Sequence, residues 1–400
     1  MQRIGNDGAL STFRVLDLSQ VRAGPTCVKQ LADFGADVIK VEPPENVDRQ
    51  ELYVGERDGA DMINLHRNKR SITLDLKSPA CHDILMDLVD SADIVVENFR
   101  PEVKTRLGLD YEALSQRNPR IILVSVSGFG QDGPYARRPG FDQILQGMCG
   151  LMSATGFAGG EPVRAGAAVV DMTAGLYAAL GALTALVERQ ISGKGQWVQC
   201  SLLHAGIALM DFQAARCALE GDVPVRVGND HPTSMPTSAY PAKDGHINVG
   251  AGNDKQWQSL CKAIGQPELA FEARFLNNEA RLHNRDQLNA ILSQAFSEET
   301  IATWMARLAQ VDVPAGPIYS MDQVLKDPQV VHQKIITTVT HPRRKTVSLI
   351  DQAIRLSRTP ATLHSALEDR GGSNEDILRE LGYDQEARQA ALDAMRGVRQ

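Results

Sequence analysis

Short apolar runs alternate with longer amphipathic stretches through the first half of the chain, and that alternation sets the fold class. Phe13-Arg-Val-Leu-Asp-Leu18, Asp37-Val-Ile-Lys-Val-Glu42, Ser71-Ile-Thr-Leu-Asp-Leu76, Asp93-Ile-Val-Val-Glu97 and Arg120-Ile-Ile-Leu-Val-Ser-Val126 are rich in branched residues and read as strands. Gly24-Pro25 opens a helix after the first, with proline at the first helical position, and Gly35 closes it. Pro43-Pro44 stops the second strand. Ser78-Pro79 caps and starts a helix that runs to about Val89. Residues 142–154 and 172–190 read as helical, Gln196-Trp-Val-Gln-Cys200 as a strand, and 202–219 as a long helix. Strands alternating with helices imply an α/β fold with a mostly parallel, doubly wound sheet.

The texture changes near residue 220. Residues 221–238 are rich in Gly, Pro, Asn and His and lack periodicity, which marks a linker or exposed loop. A smaller α+β unit follows, with a short sheet (238–241, 246–251, 315–319) and helices at 254–264, 285–296 and 298–308. After Asp327-Pro328 the chain returns to the first domain and ends in helices near 375–381 and 385–395. The expected plan is therefore 1–220 for the first part of a large domain, 221–327 for linker and small domain, and 328–400 for the return.

Composition narrows the function. The chain has 400 residues, 43% hydrophobic and 23% charged, as in ordinary soluble globular proteins. A net charge of −7 disfavours general nucleic-acid binding, so any anion site must come from local basic residues. The six cysteines form no C-x-x-C pair, so neither a zinc site nor a disulfide framework is indicated, and a reducing cytoplasm fits. The N-terminal residues carry no apolar run, so no secretory signal is expected. Residues 165–187 have roughly the length of a membrane span. Asp171 within them, and their many Ala and Gly, argue for a buried core helix and against a membrane.

Asp171 is the charge to explain. A carboxylate in such apolar surroundings pays a desolvation cost unless it is bonded or paired. Burial also raises its pKa and strips water from its oxygens, which suits a nucleophile. On local sequence the better-favoured reading is that it N-caps the helix that follows, although Ala174 stands where a capping box would need Glu or Gln. The two roles are compatible.

Other motifs weigh less. Gly128-Phe-Gly-Gln-Asp-Gly133 matches G-x-G-x-x-G, but Pro134 and Pro139 follow where a dinucleotide fingerprint needs a helix. Glu42 resembles a ribose ligand, yet the loop Ser19-Gln-Val-Arg-Ala-Gly24 lacks the glycines. No P-loop, nucleophile elbow or His-x-x-x-His is present. Arg22, Lys69, Arg70, Lys77 and Arg106 recur at strand ends or in the turns after them, where an open α/β sheet binds ligands. They are either phosphate-binding cations or solvated surface residues.

Arg22-Ala-Gly-Pro25, Asp37-Val-Ile-Lys-Val-Glu42, Asn68-Lys-Arg-Ser-Ile-Thr-Leu-Asp-Leu-Lys77, Glu97-Asn-Phe99, Ser127-Gly-Phe-Gly-Gln-Asp-Gly-Pro134 and Asp171 stand in this order. The set resembles the class III CoA-transferases over nearly the whole chain. Val249-Gly-Ala-Gly-Asn253 through Val313-Pro-Ala-Gly-Pro317 most resembles the members that use succinyl-CoA and glutarate. The resemblance implies a Rossmann-like large domain built from both chain ends, a smaller middle domain, and an interlocked-ring homodimer. It implies coenzyme A and acyl-CoA as substrates, no tightly bound cofactor, no metal, and Asp171 as nucleophile. It carries CoA contacts to Arg22, Ala23, Leu74, Lys77, Asn98, Phe99, Arg100 and Arg106, with Arg138 as a neighbouring cation. Gly250 and Gly252 stand as oxyanion candidates.

Two departures shape the expectation. The glycine run that closes over the site in formyl-CoA transferases is not reproduced, which disfavours small oxalate-like acceptors. The related α-methylacyl-CoA racemases use a Gly-His-Asp sequence, which here reads Gly140-Phe141-Asp142. Phe141 cannot shuttle a proton, so racemase chemistry lacks one acid/base group. A racemase-type isomerase and an inactive CoA-binding protein remain the alternatives.

Overall fold

The computed structural model describes residues 8–45 and 55–396. The chain divides into two compact units, one of Met1–Leu151, Arg164–Asp222 and Gln333–Gln400, the other of Met152–Val163 and Val223–His332. Inclusion of Met152–Val163 in the second unit has no counterpart in the sequence expectations, which joined its first residues to the helix at 142–154.

The first unit is built on six strands: β1 (Arg14–Asp17), β2 (Asp37–Glu42), β3 (Arg70–Thr73), β4 (Ile94–Glu97), β5 (Ile122–Ser127) and β6 (Trp197–Ser201). All neighbours pair in parallel, in the order β3-β2-β1-β4-β5-β6. The order reverses at β1, where Val15 pairs with Val38 on one side and Ile94 on the other. A crevice opens at such a point, outside the carboxyl ends of the two diverging strands.

Around the sheet lie α1 (Ala23–Asp33), α2 (Ala60–His66), α3 (Pro79–Ser91), α4 (Pro101–Arg106), α5 (Tyr111–Arg117), α6 (Asp142–Met148), α7 (Val169–Ser192), α8 (Leu202–Leu209) and α9 (Asp211–Glu220). Successive strand residues face opposite ways, so each face has its own core. Val15, Val38, Val96 and Val124 pack under α1 and α7. Leu16, Ile39, Val95 and Leu123 pack under α3 and the C-terminal residues Ile377, Leu378 and Met395. The α1–α7 contact is close because α7 offers small residues. A Cβ on Gly175 would sit 2.7 Å from the Ala23 carbonyl oxygen. Helix α7 ends at Gly193, whose φ of 73° is the left-handed cap that glycine adopts freely.

The second unit holds a three-stranded antiparallel sheet of β7 (Thr237–Ala242), β8 (Gly245–Gly250) and β9 (Ala315–Pro317). It is flanked by α10 (Asp254–Ala263), α11 (Asn278–His283), α12 (Arg285–Phe296) and α13 (Ile301–Gln310). Its core is aromatic: Tyr240 stacks on Phe296 at 5.2 Å, and Phe296 meets Trp304 edge-on at 4.9 Å. The chain then adds a hairpin of β10 (Ile336–His341) and β11 (Lys345–Ile350), and helices α14 (Asn374–Glu380) and α15 (Gln385–Met395), to the first unit.

This return is stitched to the edge of the large sheet. The Ser71 N–H donates to Glu368 Oε2 (2.5 Å) and the Thr73 N–H to Asn374 Oδ1 (2.9 Å), covering the open side of β3. Arg14 and Arg70 both bridge Asp37 and Glu380.

Several local expectations are corrected. The helix expected at 202–219 is two helices, broken at Asp211, where φ is +42°. The helix expected at 142–154 stops at Met148, and Leu151–Ala154 forms a separate turn. The helix expected at 298–308 begins at Ile301, because the Thr300 side chain caps it by accepting from the Thr303 N–H. Ser78 precedes α3, but its side chain makes no cap bond. Helix α7 is long and apolar enough to cross a membrane by length and composition alone. The buried core helix expected is buried on one face only: Leu176, Tyr177, Leu180, Leu183, Val187 and Ile191 form an exposed apolar face.

Candidate active site

The crevice at the switch point is a cavity of about 290 Å³. The turn after β1 supplies Gln20, Val21, Arg22 and Ala23; the turn after β4 supplies Asn98, Phe99, Arg100 and Pro101. Arg138, Pro139, Gly140 and Phe141 close another side, and Asp171 reaches in from the first turn of α7. Seven sequence-derived candidates therefore share one cavity: Arg22, Ala23, Asn98, Phe99, Arg100, Arg138 and Asp171.

Asp171 is not the N-cap of its helix, a correction to one of its two expected roles. Ala168 holds the cap position and Asp171 lies in the first turn. The cap comes from another helix. Asp142, at the start of α6, accepts through Oδ1 from the N–H groups of Val170 (2.9 Å) and Asp171 (3.1 Å). Its Oδ2 accepts from Gln146 Nε2 at 2.5 Å. With that work done elsewhere, the Asp171 carboxylate accepts no hydrogen bond among the described residues. Burial and the neighbouring charge of Asp142 push its pKa up to about 7, against the opposing pull of Arg22. A carboxylate unbonded, partly desolvated and raised in this way is a better nucleophile than a solvated one.

The cavity walls are held by polar staples. Asn98 takes the Gln20 N–H on its Oδ1 (2.9 Å) and gives its Nδ2 proton to the Gln20 carbonyl (2.7 Å). The Asn98 amide is thus engaged with the opposite turn, which limits it as a ligand contact. Asp17 fixes the same turn by accepting from the N–H (3.0 Å) and hydroxyl (2.5 Å) of Ser19. Glu97 accepts from the Phe99 N–H (2.8 Å) and lies 3.3 Å from buried Lys104. Burial pushes the Glu97 carboxyl up despite that lysine. Neither the Asn98 staple nor the Asp142 cap was anticipated, since each joins residues far apart in sequence.

The basic residues separate into two groups. Lys69 is buried and bonded to Asp17 at 2.8 Å, and Arg70 is tied to Asp37 and Glu380, so neither serves as the anion ligand considered from sequence. Arg22 lines the cavity while pairing with Asp61 at 2.6 Å. Arg100 and Arg138 line it as exposed groups, with Arg138 stacked 3.9 Å over Tyr135. Arg106 lies outside it, in an adjoining depression with Gln131 and Arg137 that shares Pro101 and Ala136 with the cavity. Leu74 is buried in the lower core and Lys77 is exposed; neither lines the cavity.

Glu42 is no ribose ligand, because Arg57 grips both its oxygens and Ser71 donates to one. Gly250 and Gly252 belong to the second unit, at and beyond the end of β8. The Gly250 N–H already donates to the Pro314 carbonyl at 2.9 Å, which removes it as an oxyanion donor. Among the described residues no cluster of three or more His, Cys, Asp or Glu could hold a metal ion.

A CoA thioester needs a crevice for its pantetheine, cations for its phosphates and, for transfer without ATP, a carboxylate that can be acylated. Comparison with known proteins points the same way. The model of CoA-transferase family III matches residues 10–367, and the chain belongs to this family of CoA-transferases. It is similar to human succinyl-CoA:glutarate CoA-transferase, 35% identical over 96% of this chain and 89% of the relative. It is similar also to succinyl-CoA–D-citramalate CoA-transferase of Chloroflexus aurantiacus, 37% identical over 93% of this chain and 94% of the relative. A crystal structure of a CaiB/BaiF family protein from Brucella suis superposes with a TM-score of 0.83 at 35% identity, covering 94% of this chain and all of that one.

Proposed function

We propose that this CoA-transferase moves CoA from succinyl-CoA to a small dicarboxylic acid, with Asp171 as the covalent relay. The observation that carries the reading is the Asp171 carboxylate, raised to about 7 and without a hydrogen-bond partner among the described residues, in a cavity at the sheet's switch point. Asp171 attacks the thioester carbonyl, forming a mixed anhydride and releasing CoA thiolate. The thiolate attacks the aspartyl carbonyl, giving an aspartyl-CoA thioester and freeing succinate. The acceptor carboxylate attacks that thioester, CoA leaves again, and its attack on the acceptor acyl carbon restores Asp171. Each step exchanges one acyl bond for another, so no ATP or metal enters the balance. Water is the competitor, and a half-buried site limits it.

Arg22, Ala23, Phe99, Arg100 and Arg138 are the proposed CoA contacts at the cavity, with Arg106 and Lys77 toward the nucleotide end; Leu74, buried in the core, is withdrawn as a contact. Gly252 remains the oxyanion candidate. Relatives named for succinyl-CoA support the donor, and glutarate and D-citramalate in their names support a dicarboxylate acceptor. A homodimer is proposed as well, covering the apolar outer face of α7, and a reducing cytoplasm suits the free cysteines. The racemase alternative is disfavoured by Phe141, which lines the cavity beside Asp171 and carries no proton.

The test is isotope passage across a panel of acids. Labelled succinate should enter CoA esters, and dicarboxylates should outrun monocarboxylates as acceptors. Asp171→Ala should lose all transfer. Deuterium exchange at the α-carbon of a 2-methylacyl-CoA, without label passage, would instead support the isomerase.

A further inference from the structure

We propose that Asp142 is a positioning residue for Asp171, setting its place through the head of α7 and its proton affinity through charge. The inference rests on the proposed role of Asp171 as nucleophile. Helix α7 begins without a side-chain cap of its own. Four N–H groups at a helix start need partners, and an uncapped start frays. Asp142 is buried, and its carboxylate binds the two consecutive N–H groups of Val170 and Asp171.

The contact is one half of a larger clamp. Gln146, one turn further along α6, is wholly buried. It donates to Asp142 and to the Ala167 carbonyl (3.2 Å), and its Oε1 accepts from the Ala165 N–H (2.9 Å). Asp142 and Gln146 together grip the backbone at residues 165, 167, 170 and 171, on both sides of the point where the chain enters α7. The proposed nucleophile is therefore located by α6, through its own backbone, while its side chain accepts no hydrogen bond among the described residues.

Charge makes the clamp more than structural. Three N–H donors converge on the Asp142 oxygens, and Asp142 is one of the groups that raise Asp171. A fixed negative charge beside a second carboxylate disfavours ionisation of the second. Arg100 and Arg138 line the same cavity as Asp171, and among the described residues the elements packed on this end of α7 bring few other ionisable groups. Arg22 stands at the head of α1, with Cys27, Lys29 and Asp33 further along it. Cys149 follows α6, and His204 on α8 is exposed. Cys200 of β6 lies with its sulfur 3.4 Å from the Ala174 carbonyl, and burial pushes its thiol up to about 11. Asp142 and Arg22 act on Asp171 in opposite directions, and a substitution at either should move it oppositely.

Asp142→Asn retains an oxygen for the two N–H groups and removes the charge; Asp142→Ala removes both. Infrared difference titration, using Asp171→Asn to identify the band, reads the Asp171 carboxyl directly and needs no turnover. The rate of covalent adduct formation from succinyl-CoA, followed against pH, reads its reactivity. Asp142→Asn should lower the Asp171 titration by about 1 pH unit or more, and carry the acidic limb of the adduct rate with it. Asp142→Ala should also lower the melting temperature, and Asp142→Glu should restore the titration toward the parent. An Asp171 titration unchanged in a folded Asp142→Asn protein overturns the inference. A shifted titration in an enzyme that forms no adduct upholds the coupling and sinks the transfer reading.

Discussion

Asp171 is held in a state that costs the fold. Its ordinary carboxyl pKa of 3.8 rises to about 7 in the folded chain, chiefly through burial. The folded protein therefore binds a proton that the unfolded chain has lost between these values, and stability declines as pH rises through that window. Above pH 7 the ionised side chain opposes folding in full. Replacing it removes that cost, so Asp171→Asn should be more stable than the parent near pH 8, by on the order of 2 kcal/mol once partial exposure is discounted. The advantage should vanish below about pH 4, where both states are protonated. Thermal melts of the two proteins at both pH values check this; a variant no more stable at pH 8 would remove the claim that Asp171 is strained by its setting. The sequence disclosed the anomaly, a lone acid among apolar residues. It did not disclose the cap, because Asp142 lies 29 positions away. The same blindness applied to Lys69 and Arg70, whose partners Asp17 and Glu380 lie 52 and 310 residues off.

Helix α7 joins the site to the surface. One face is small and buried: Ala174, Gly175, Ala178 and Ala182 bring it against α1. The other is large and exposed, from Leu176 to Ile191. A contiguous apolar face of this kind usually meets a partner. In sequence the helix is apolar all round, which reads as burial; only the packing separates the two faces. If a second copy covers the outer face, Leu180→Lys should shift the protein from dimer to monomer in sedimentation, or leave it aggregating. A Leu180→Lys protein that remains a stable dimer would contradict the assignment of that face. The parallel strands were the most legible elements, because their branched runs are short and bounded by Gly and Pro. Short helices such as α2, α4 and α5, and the hairpin β10–β11, were not legible. Their lengths are too small for periodicity to show, and packing decides them.

At the scale of the molecule, two chain-distant features meet in one unit. The N-terminal strands define the switch point, and the C-terminal return covers the edge strand through Glu368 and Asn374. The crevice at the switch point gathers residues from turns after β1 and β4, from residues 138–141 and from the head of α7, which is why ordered motifs spread over about 150 residues identified the family while no single motif did. The account stands on one event, the passage of an acceptor oxygen through the Asp171 carboxyl. With succinyl-CoA as donor and an acceptor acid labelled with oxygen-18 in its carboxylate, each turnover transfers one labelled oxygen to the enzyme. Mass spectrometry of the peptide containing Asp171 should find that label on this residue, and succinate released in later turnovers should carry it away. Full turnover with an unlabelled Asp171 would contradict the account.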